Sequence, residues 1–479
     1  MMESDRLFIG GRWVAPSGDQ KITVASASDE QPLGSVPEGV DADIDRAVEA
    51  ARTAFDTPGG WADWEPARRA ESLMRLADEL DARSQEMSAR VSSQNGMPIS
   101  TATAIEGSVP ASLLRYYATL VSEAPEKDER VGIPIGTTLV RHQPIGVVAA
   151  ITPWNYPQAL AFTKLAPALA AGCTVVLKPA PETVLDSVLL AEAIAQAGLP
   201  EGVVNVVPGG REVGAHLVAH PDVDKVTFTG STAAGQHIAA SCAQSLRPVT
   251  LELGGKSAAV ILDDADLAGH AEQLFAASLL NNGQTCYACT RILAPRSRYE
   301  EVVEFYAAMA HDAKVGDALD TTTQIGPLVN SRQRARVEDY IAQGKSSGAR
   351  LTTGGGRPPG LDHGWFVEPT IFADVDNAST IAREEIFGPV LSITGYDLED
   401  DAIRIANDSP YGLGGTIWTQ DPDRGTELAG RIQTGTIGVN GYLPDITSPY
   451  GGMKTSGLGR ELGPEGLQSY QRLQSIYHP

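Results

Sequence analysis

Of the four cysteines in this 479-residue chain, Cys286 is the one whose neighbours suggest chemistry. It lies in Asn281-Asn282-Gly283-Gln284-Thr285-Cys286-Tyr287-Ala288-Cys289. A free cysteine is usually a small core residue. The Cys-x-x-Cys spacing also allows a metal site or a thioredoxin-like pair. A zinc site needs four ligands, and no second Cys-x-x-Cys or histidine pair accompanies this one, so no metal is expected. A nucleophilic cysteine must be accessible, must reach the thiolate form and needs a partner base. Other parts of the chain therefore have to supply the helpers.

Three segments offer them. Ile151-Thr152-Pro153-Trp154-Asn155-Tyr156-Pro157 follows an apolar run and opens a helical one. Its prolines would hold Asn155 in a loop at a strand's carboxyl end, where open α/β sheets place their sites. Thr250-Leu251-Glu252-Leu253-Gly254-Gly255-Lys256 sets a carboxylate in apolar, glycine-rich surroundings. That carboxylate is either desolvated and functional or on an edge. Phe228-Thr229-Gly230-Ser231-Thr232-Ala233-Ala234-Gly235 runs from strand to helix. Free N–H groups at such a helix start suit a pyrophosphate, although this is not the Gly-x-Gly-x-x-Gly fingerprint.

The elements that must position these groups follow from hydrophobic spacing. Val147–Ile151, Cys173–Leu177, Val203–Val207 and Lys225–Thr229 read as buried strands, separated by helices over 157–171, 183–197 and 211–219, with another over 231–245. Short apolar strands alternating with helices predict a parallel, doubly wound sheet. The alternation resumes with strands at Ala258–Leu262 and Thr290–Leu293 and helices at 266–281 and 299–313. Before the first sheet come a hairpin at Leu7–Val14 and helices at 41–56 (capped by Asp41), 66–94 and 101–122. Residues 126–144 alternate as extended strands through Val131, Ile133 and Ile135, and Ser475-Ile476-Tyr477 reads as an edge strand. The fold class is α/β, with a Rossmann-like, doubly wound first unit (1–125 and 145–255), a second α/β unit (256–455) and a small β arm and tail (126–144 and 456–479).

Composition narrows the function. The net charge is −23, from 37 basic and 60 acidic residues. That argues against nucleic acid and anionic membrane surfaces. The N-terminus lacks the apolar core of a signal peptide. The longest apolar zone, from Gln158 to Leu177, is interrupted by Thr163, Lys164 and Pro167, so no membrane span is expected. A reducing, cytoplasmic setting follows.

In order, the chain carries Pro153-Trp154-Asn155, Lys178-Pro179, Phe228-Thr229-Gly230-Ser231, Glu252-Leu253-Gly254-Gly255-Lys256 and Gly283-Gln284-Thr285-Cys286. Glu384-Glu385-Ile386-Phe387-Gly388-Pro389 and Pro449-Tyr450-Gly451-Gly452-Met453-Lys454 with Ser456-Gly457 follow. Together these resemble the aldehyde dehydrogenase superfamily over essentially the whole chain. The resemblance implies NAD(P)-dependent oxidation of an aldehyde to a carboxylic acid. Cys286 would attack the carbonyl, forming a thiohemiacetal. The Asn155 amide and the Cys286 N–H would form the oxyanion hole, and Glu252 would activate the water that hydrolyses the later thioester. Lys164 and Glu461 would relay protons from that base. For the cofactor, the resemblance places Lys178 at the adenosine ribose, Gly209 and Gly214 near the adenine, and Gly230 and Ser231 at the pyrophosphate. Glu385 would hold the nicotinamide ribose with Phe387 beside the ring; Ile151, Trp154 and Leu253 are neighbouring positions. The aldehyde funnel would involve Tyr156, Ala159, Leu160, Thr163, Leu280, Thr285, Tyr287 and Tyr450.

One position departs from the pattern. Many NAD-preferring members have Lys-Pro-x-Glu, whose glutamate binds the ribose hydroxyls. Here Pro181 takes that place and the acid follows as Glu182. Losing the carboxylate removes repulsion of a 2′-phosphate, which opens NADP use. NAD is still expected, because no extra Arg or Lys flanks the site. The strands at 126–144 and 471–479 look like the family's intersubunit arms, which implies a homodimer or homotetramer. Alternatives are a CoA-acylating relative, disfavoured by Glu252; a non-catalytic scaffold, which has no need of Asn155, Glu252 and Cys286 together; and a cofactor-free cysteine hydrolase, which lacks a histidine in these motifs. Cys289 is expected to be non-catalytic, with an oxidative disulfide to Cys286 as a hypothesis.

Overall fold

The computed structural model describes residues 2–123, 128–133 and 136–478. The expected α/β architecture is present. An eight-stranded sheet runs in the order Gly457–Leu458, Val249–Glu252, Lys225–Thr229, Val147–Ile151, Thr174–Lys178, Val204–Val206, Leu7–Ile9 and Arg12–Val14. The five strands from Val249–Glu252 to Val204–Val206 are mutually parallel, with antiparallel edges on either side. Successive side chains on a strand point to opposite faces. Val175 accordingly packs with Phe162 and Leu190 on one face, and Val176 with Ile44 and Leu217 on the other. Val147–Ile151 is the first of the parallel strands in the chain. Later strands are added on both sides of it, so the strand order reverses between it and Lys225–Thr229. A doubly wound sheet opens its ligand crevice at that switch, beyond the carboxyl ends. The Asn155 loop and Gly230-Ser231 both lie there.

A seven-stranded sheet carries the second unit, in the order Arg350–Thr353, Thr370–Ala373, Val390–Tyr396, Arg291–Pro295, Ala258–Ile261, Gly415–Trp418 and Gly438–Val439. All its pairs are parallel except the first. Glu252 ends a strand of the first sheet and Ala258 begins one of the second, so carboxyl ends of one sheet face amino ends of the other. The Cys286 and Glu385 loops precede strands Arg291–Pro295 and Val390–Tyr396, and so open at this junction. Gly457–Leu458 pairs with Val249–Glu252, so the chain returns to the first sheet before entering the arm. The arm is a separate antiparallel sheet of Asp128–Val131, Thr137–Pro144 and Gln471–His478.

Several boundaries differ from the periodicity. The helix expected over 66–94 is two, Pro66–Asp81 and Ser84–Asn95. That over 101–122 is also two, Ile99–Ile105 and Val109–Ser122. Gly107 lies in the gap, where an added Cβ would fall 2.5 Å from Ser88 Oγ. Asp41 is the first residue of its helix rather than the cap. Asp43 instead takes the cap's N–H, accepting from Val40 N at 3.1 Å and Ser17 N at 2.9 Å. The 266–281 helix shortens to Ala271–Leu279: residues 267–270 form a turn before it, and Asn281 and Asn282 beyond its end have φ of +51° and +62°. The terminal strand is longer than 475–477 and pairs along all of 471–478. Ile135 and residues 126–127 lie outside the described residues. Among the described residues no helix is long and apolar enough to cross a membrane.

Candidate active site

Three consecutive left-handed residues deliver Cys286. Asn281, Asn282 and Gly283 have φ of +51°, +62° and +75°. Asparagine tolerates this region better than most residues, and glycine enters it freely. Side chains then lock the turn. Asn281 Nδ2 donates to the Asn155 carbonyl at 3.0 Å, and Asn282 Nδ2 to the Gly96 and Pro327 carbonyls, each at 2.8 Å. Gln284 Oε1 accepts from Val329 N at 3.0 Å. The Asn155 amide itself donates to the Gln284 carbonyl at 3.0 Å, which places it over the Cys286 loop. Cys286 is partly exposed, with its sulfur 3.7 Å from the Tyr450 hydroxyl. Burial pushes its thiol up to about 12; Tyr450 opposes the shift, while the Glu252 and Glu385 carboxylates add to it.

Glu252 ends its strand in a buried position, and neither carboxyl oxygen has a hydrogen-bond partner. Burial, then the Glu461 carboxylate, raises it well above the usual carboxylate range, while Lys164 pulls it down. Lys164 comes from helix Pro157–Ala171, fully buried, and donates to Glu461 Oε1 at 2.8 Å and Thr229 Oγ1 at 2.6 Å. The expected base and the two expected relay residues thus form one buried cluster. The start of that helix is held by Glu106, which accepts from Gln158 N at 2.8 Å and Ala159 N at 3.4 Å. Burial raises Glu106 to about 8.

The expected cofactor residues lie at or beyond the carboxyl ends of the first sheet's strands and on the Glu385 loop of the second. At one end Lys178 Nζ donates to the Gly209 carbonyl at 2.8 Å, and an added Cβ on Gly214 would press on its stem at 3.3 Å. Desolvation lowers this ammonium to about 8. Glu38, unremarked in the sequence, accepts from Gly210 N at 3.2 Å and also faces Lys178. Glu182 faces Lys178 more strongly than Glu38 does, and also pairs with Arg332, 3.1 Å away. Arg211, exposed, is the first residue of the helix after Gly209-Gly210. Next comes Gly230, where a Cβ would strike Phe228 at 2.5 Å, then Ser231, whose Oγ accepts Ala234 N at 3.3 Å. Leu253 packs against Gly235, leaving no room for a Cβ there. At the far end Trp154 meets Phe387 edge-on at 5.3 Å, past Ile151 at its strand's end. Glu385 Oε1 accepts Gly255 N at 3.1 Å, and burial raises this carboxyl to about 7. A cradle of glycines with cationic, hydroxyl and carboxyl groups spaced along it fits a dinucleotide.

Around Cys286, Tyr156 OH and Thr285 Oγ1 share a hydrogen bond of 2.7 Å. Tyr287 stacks edge-on against Tyr442 at 5.0 Å and Tyr450 at 6.4 Å. Thr163 bonds inward to the Leu160 carbonyl at 3.0 Å. Cys289 does not join this group. It is fully buried in the second unit's core, where Thr416 Oγ1 lies 3.6 Å from its sulfur, while Cys286 turns toward Tyr450. A Cys286–Cys289 disulfide would need this loop to rebuild. Sequence reasoning missed Tyr442, Gln284, Asn281, Glu106 and Glu38. The Asn-Asn-Gly run carried a turn signal; the others act through contacts distant in sequence.

Gly283 is the tightest point of the loop. An added Cβ would lie 2.2 Å from the Gly388 carbonyl. Gly283→Ala is expected to destabilise the protein by about 2–4 kcal/mol through strain and clash. Thermal unfolding measures this, and an unchanged Tm would show that the loop does not need its left-handed turn.

The comparisons agree with this architecture. The Aldehyde dehydrogenase family profile matches residues 13–476. A geranial dehydrogenase of Castellaniella defragrans is 55% identical over 476 residues, 99% of each chain. An aldehyde dehydrogenase of Mycobacterium tuberculosis, solved complexed with NAD+, superposes with a TM-score of 0.97 at 47% identity, covering 100% of this chain and 98% of that one. A Pseudomonas syringae aldehyde dehydrogenase variant, solved with NAD+ and octanal, gives 0.94 at 40% identity, covering 98% and 96%. With the profile spanning nearly its full length, this chain belongs to the aldehyde dehydrogenase family.

Proposed function

We propose that Cys286, Asn155 and Glu252 divide the oxidation of an aldehyde to its acid, with NAD as the cofactor. The observation that carries this reading is the placement of a sulfur, an amide donor and an unpartnered buried carboxyl around one junction. The Cys286 thiolate attacks the carbonyl carbon, forming a C–S bond and an oxyanion. The second Asn155 amide hydrogen and the Cys286 N–H receive that oxyanion; such a donor is typically worth ~3 kcal/mol of barrier. A bound nicotinamide supplies the hydride acceptor that turns the thiohemiacetal into a thioester. Water then attacks the thioester, Glu252 takes its proton, the C–S bond breaks, and the acid leaves. Lys164 and Glu461 pass the proton onward. NADP remains the alternative at the adenosine end, where Pro181 leaves a gap in the usual pattern. The carboxylates of Glu182 and Glu38, both facing Lys178, support NAD, and the NAD+ complexes of the similar structures support it as well.

The substrate reading is an apolar aldehyde of intermediate length. Tyr156 and Ala159 pack with Met97, Ile105 and Val109 on one side of the funnel; Tyr287, Tyr450, Tyr442 and Ile446 pack beside Cys286 on the other. The geranial and octanal named for two relatives are of this type. For straight-chain aldehydes, kcat/KM is expected to rise about fourfold per buried methylene, the value of ~0.8 kcal/mol each. A flat profile would contradict an apolar funnel. The Glu252→Gln variant tests the roles more directly. It is expected to reduce one equivalent of cofactor in a burst and then stall, and undiminished steady turnover would remove Glu252 from the mechanism.

The arm is read as the assembly element of a homodimer or homotetramer. Val131, Ile133, Leu473 and Tyr477 are all exposed in or beside its strands. Such uncovered apolar residues mark a contact surface. Deleting residues 471–478 should lower the mass measured by light scattering to that of a monomer; an unchanged mass would place the interface elsewhere.

A further inference from the structure

Four tyrosines surround the Cys286 sulfur, and their hydroxyls have different commitments. Tyr156 is bonded to Thr285, and Tyr442 to Thr436 Oγ1. Tyr287 offers its ring, packed edge-on between Tyr442 and Tyr450. Tyr450 alone of the four directs its hydroxyl at the sulfur, with 3.7 Å between OH and Sγ. That aim is fixed by the backbone. Tyr450 and Glu461 exchange both main-chain hydrogen bonds, at 2.7 and 2.8 Å, and Glu461 is tied to Lys164. The next residue, Gly451, has φ +155°, and an added Cβ there would lie 2.7 Å from Glu252 Oε1. One dipeptide therefore runs between the two reacting groups. Tyr450 presents a hydroxyl to the sulfur, and Gly451 makes room for the carboxyl.

The surroundings of the sulfur otherwise disfavour a thiolate. Burial does so first, and the Glu252 and Glu385 carboxylates face the sulfur as well. Tyr156, Tyr287 and Tyr442 face it with phenols that cannot carry positive charge. The Tyr450 hydroxyl and the Tyr287 N–H are the groups that favour the charged form.

We propose that Tyr450 is a further catalytic residue, whose hydroxyl donates a hydrogen bond to the Cys286 sulfur whenever that sulfur carries charge. This rests on the reading of Cys286 as the nucleophile. It acts twice in the cycle. Before attack it raises the fraction of thiolate. During hydrolysis the C–S bond breaks as water's oxygen bonds to carbon and water's proton passes to Glu252, and the sulfur leaves as a thiolate that Tyr450 again holds.

Tyr450→Phe keeps the ring and removes the hydroxyl. The measurement is the rate of Cys286 alkylation by iodoacetamide against pH, with peptide mapping to assign the site. Losing a charge-assisted hydrogen bond of ordinary strength moves the midpoint up by about one pH unit. Because a more basic thiolate is also more nucleophilic, the rate at neutral pH falls only about three- to fourfold. Tyr156→Phe, whose hydroxyl is bonded to Thr285, is expected to leave the midpoint in place. A Tyr450→Phe profile that superimposes on wild type, or an equal displacement in Tyr156→Phe, overturns the proposal. Failure of the nucleophile assignment would show separately, as a Cys286→Ala variant that still turns over.

Discussion

The Glu252 carboxyl is buried beside the Glu461 carboxylate, and burial of such a group costs free energy unless it is well paired. A protein with no use for that carboxyl would have packed a leucine there. The surrounding structure is arranged to keep it in place without satisfying it. Gly451 stands where any side chain would collide with the carboxyl. Glu461 adds like charge and Lys164 offsets it from within the same cluster. The outcome is a carboxyl that holds its proton more tightly than an ordinary carboxylate, and whose base form grows as the pH rises. Cys286 is displaced in the same direction by the same burial. Burial and neighbouring carboxylates thus bias both groups toward their protonated forms.

The two sheets make this arrangement possible. Loops at the carboxyl ends of the first sheet bring Asn155, Gly230 and Glu252. Loops at the amino ends of the second bring Cys286 and Glu385. Neither sheet holds a complete site, and the short run from Glu252 to Ala258 joins them. Lys164 and Glu461 come from a helix and a tail segment packed against the first sheet. The ion pair between them ties the distant end of the chain to the centre. Tyr450 lies on that same returning segment, so the group facing the sulfur and the group facing the base are positioned by one piece of backbone.

Much of this was legible in the sequence, for a physical reason. Proline, glycine and lone carboxylates in apolar runs punctuate a chain locally, so the Asn155, Glu252 and Cys286 loops and the alternating strands could be read from spacing. The break near Arg83 was less legible, whereas the one near Ser108 carries Gly107 and Pro110 beside it. Arg83 has no glycine or proline beside it, and helix periodicity carries straight through; packing between helices decides the stop. Ser231 was read as part of its helix, and it is the cap residue. Glu38 and Glu106 were invisible, because each acts on backbone more than fifty residues away. The direction of the Tyr450 hydroxyl was invisible for the same reason. Spacing places a tyrosine near the funnel, but only the bridge to Glu461 turns it toward the sulfur.

All of these contacts converge on one sulfur, so the most direct measurement is the aldehyde-dependent reduction of NAD+ by Cys286→Ala beside wild type, with folding checked by thermal unfolding. Replacing a partly exposed cysteine by alanine should leave Tm nearly unchanged. Aldehyde oxidation is expected to fall to the background rate. A folded Cys286→Ala protein that oxidises aldehydes at the wild-type rate would contradict the account.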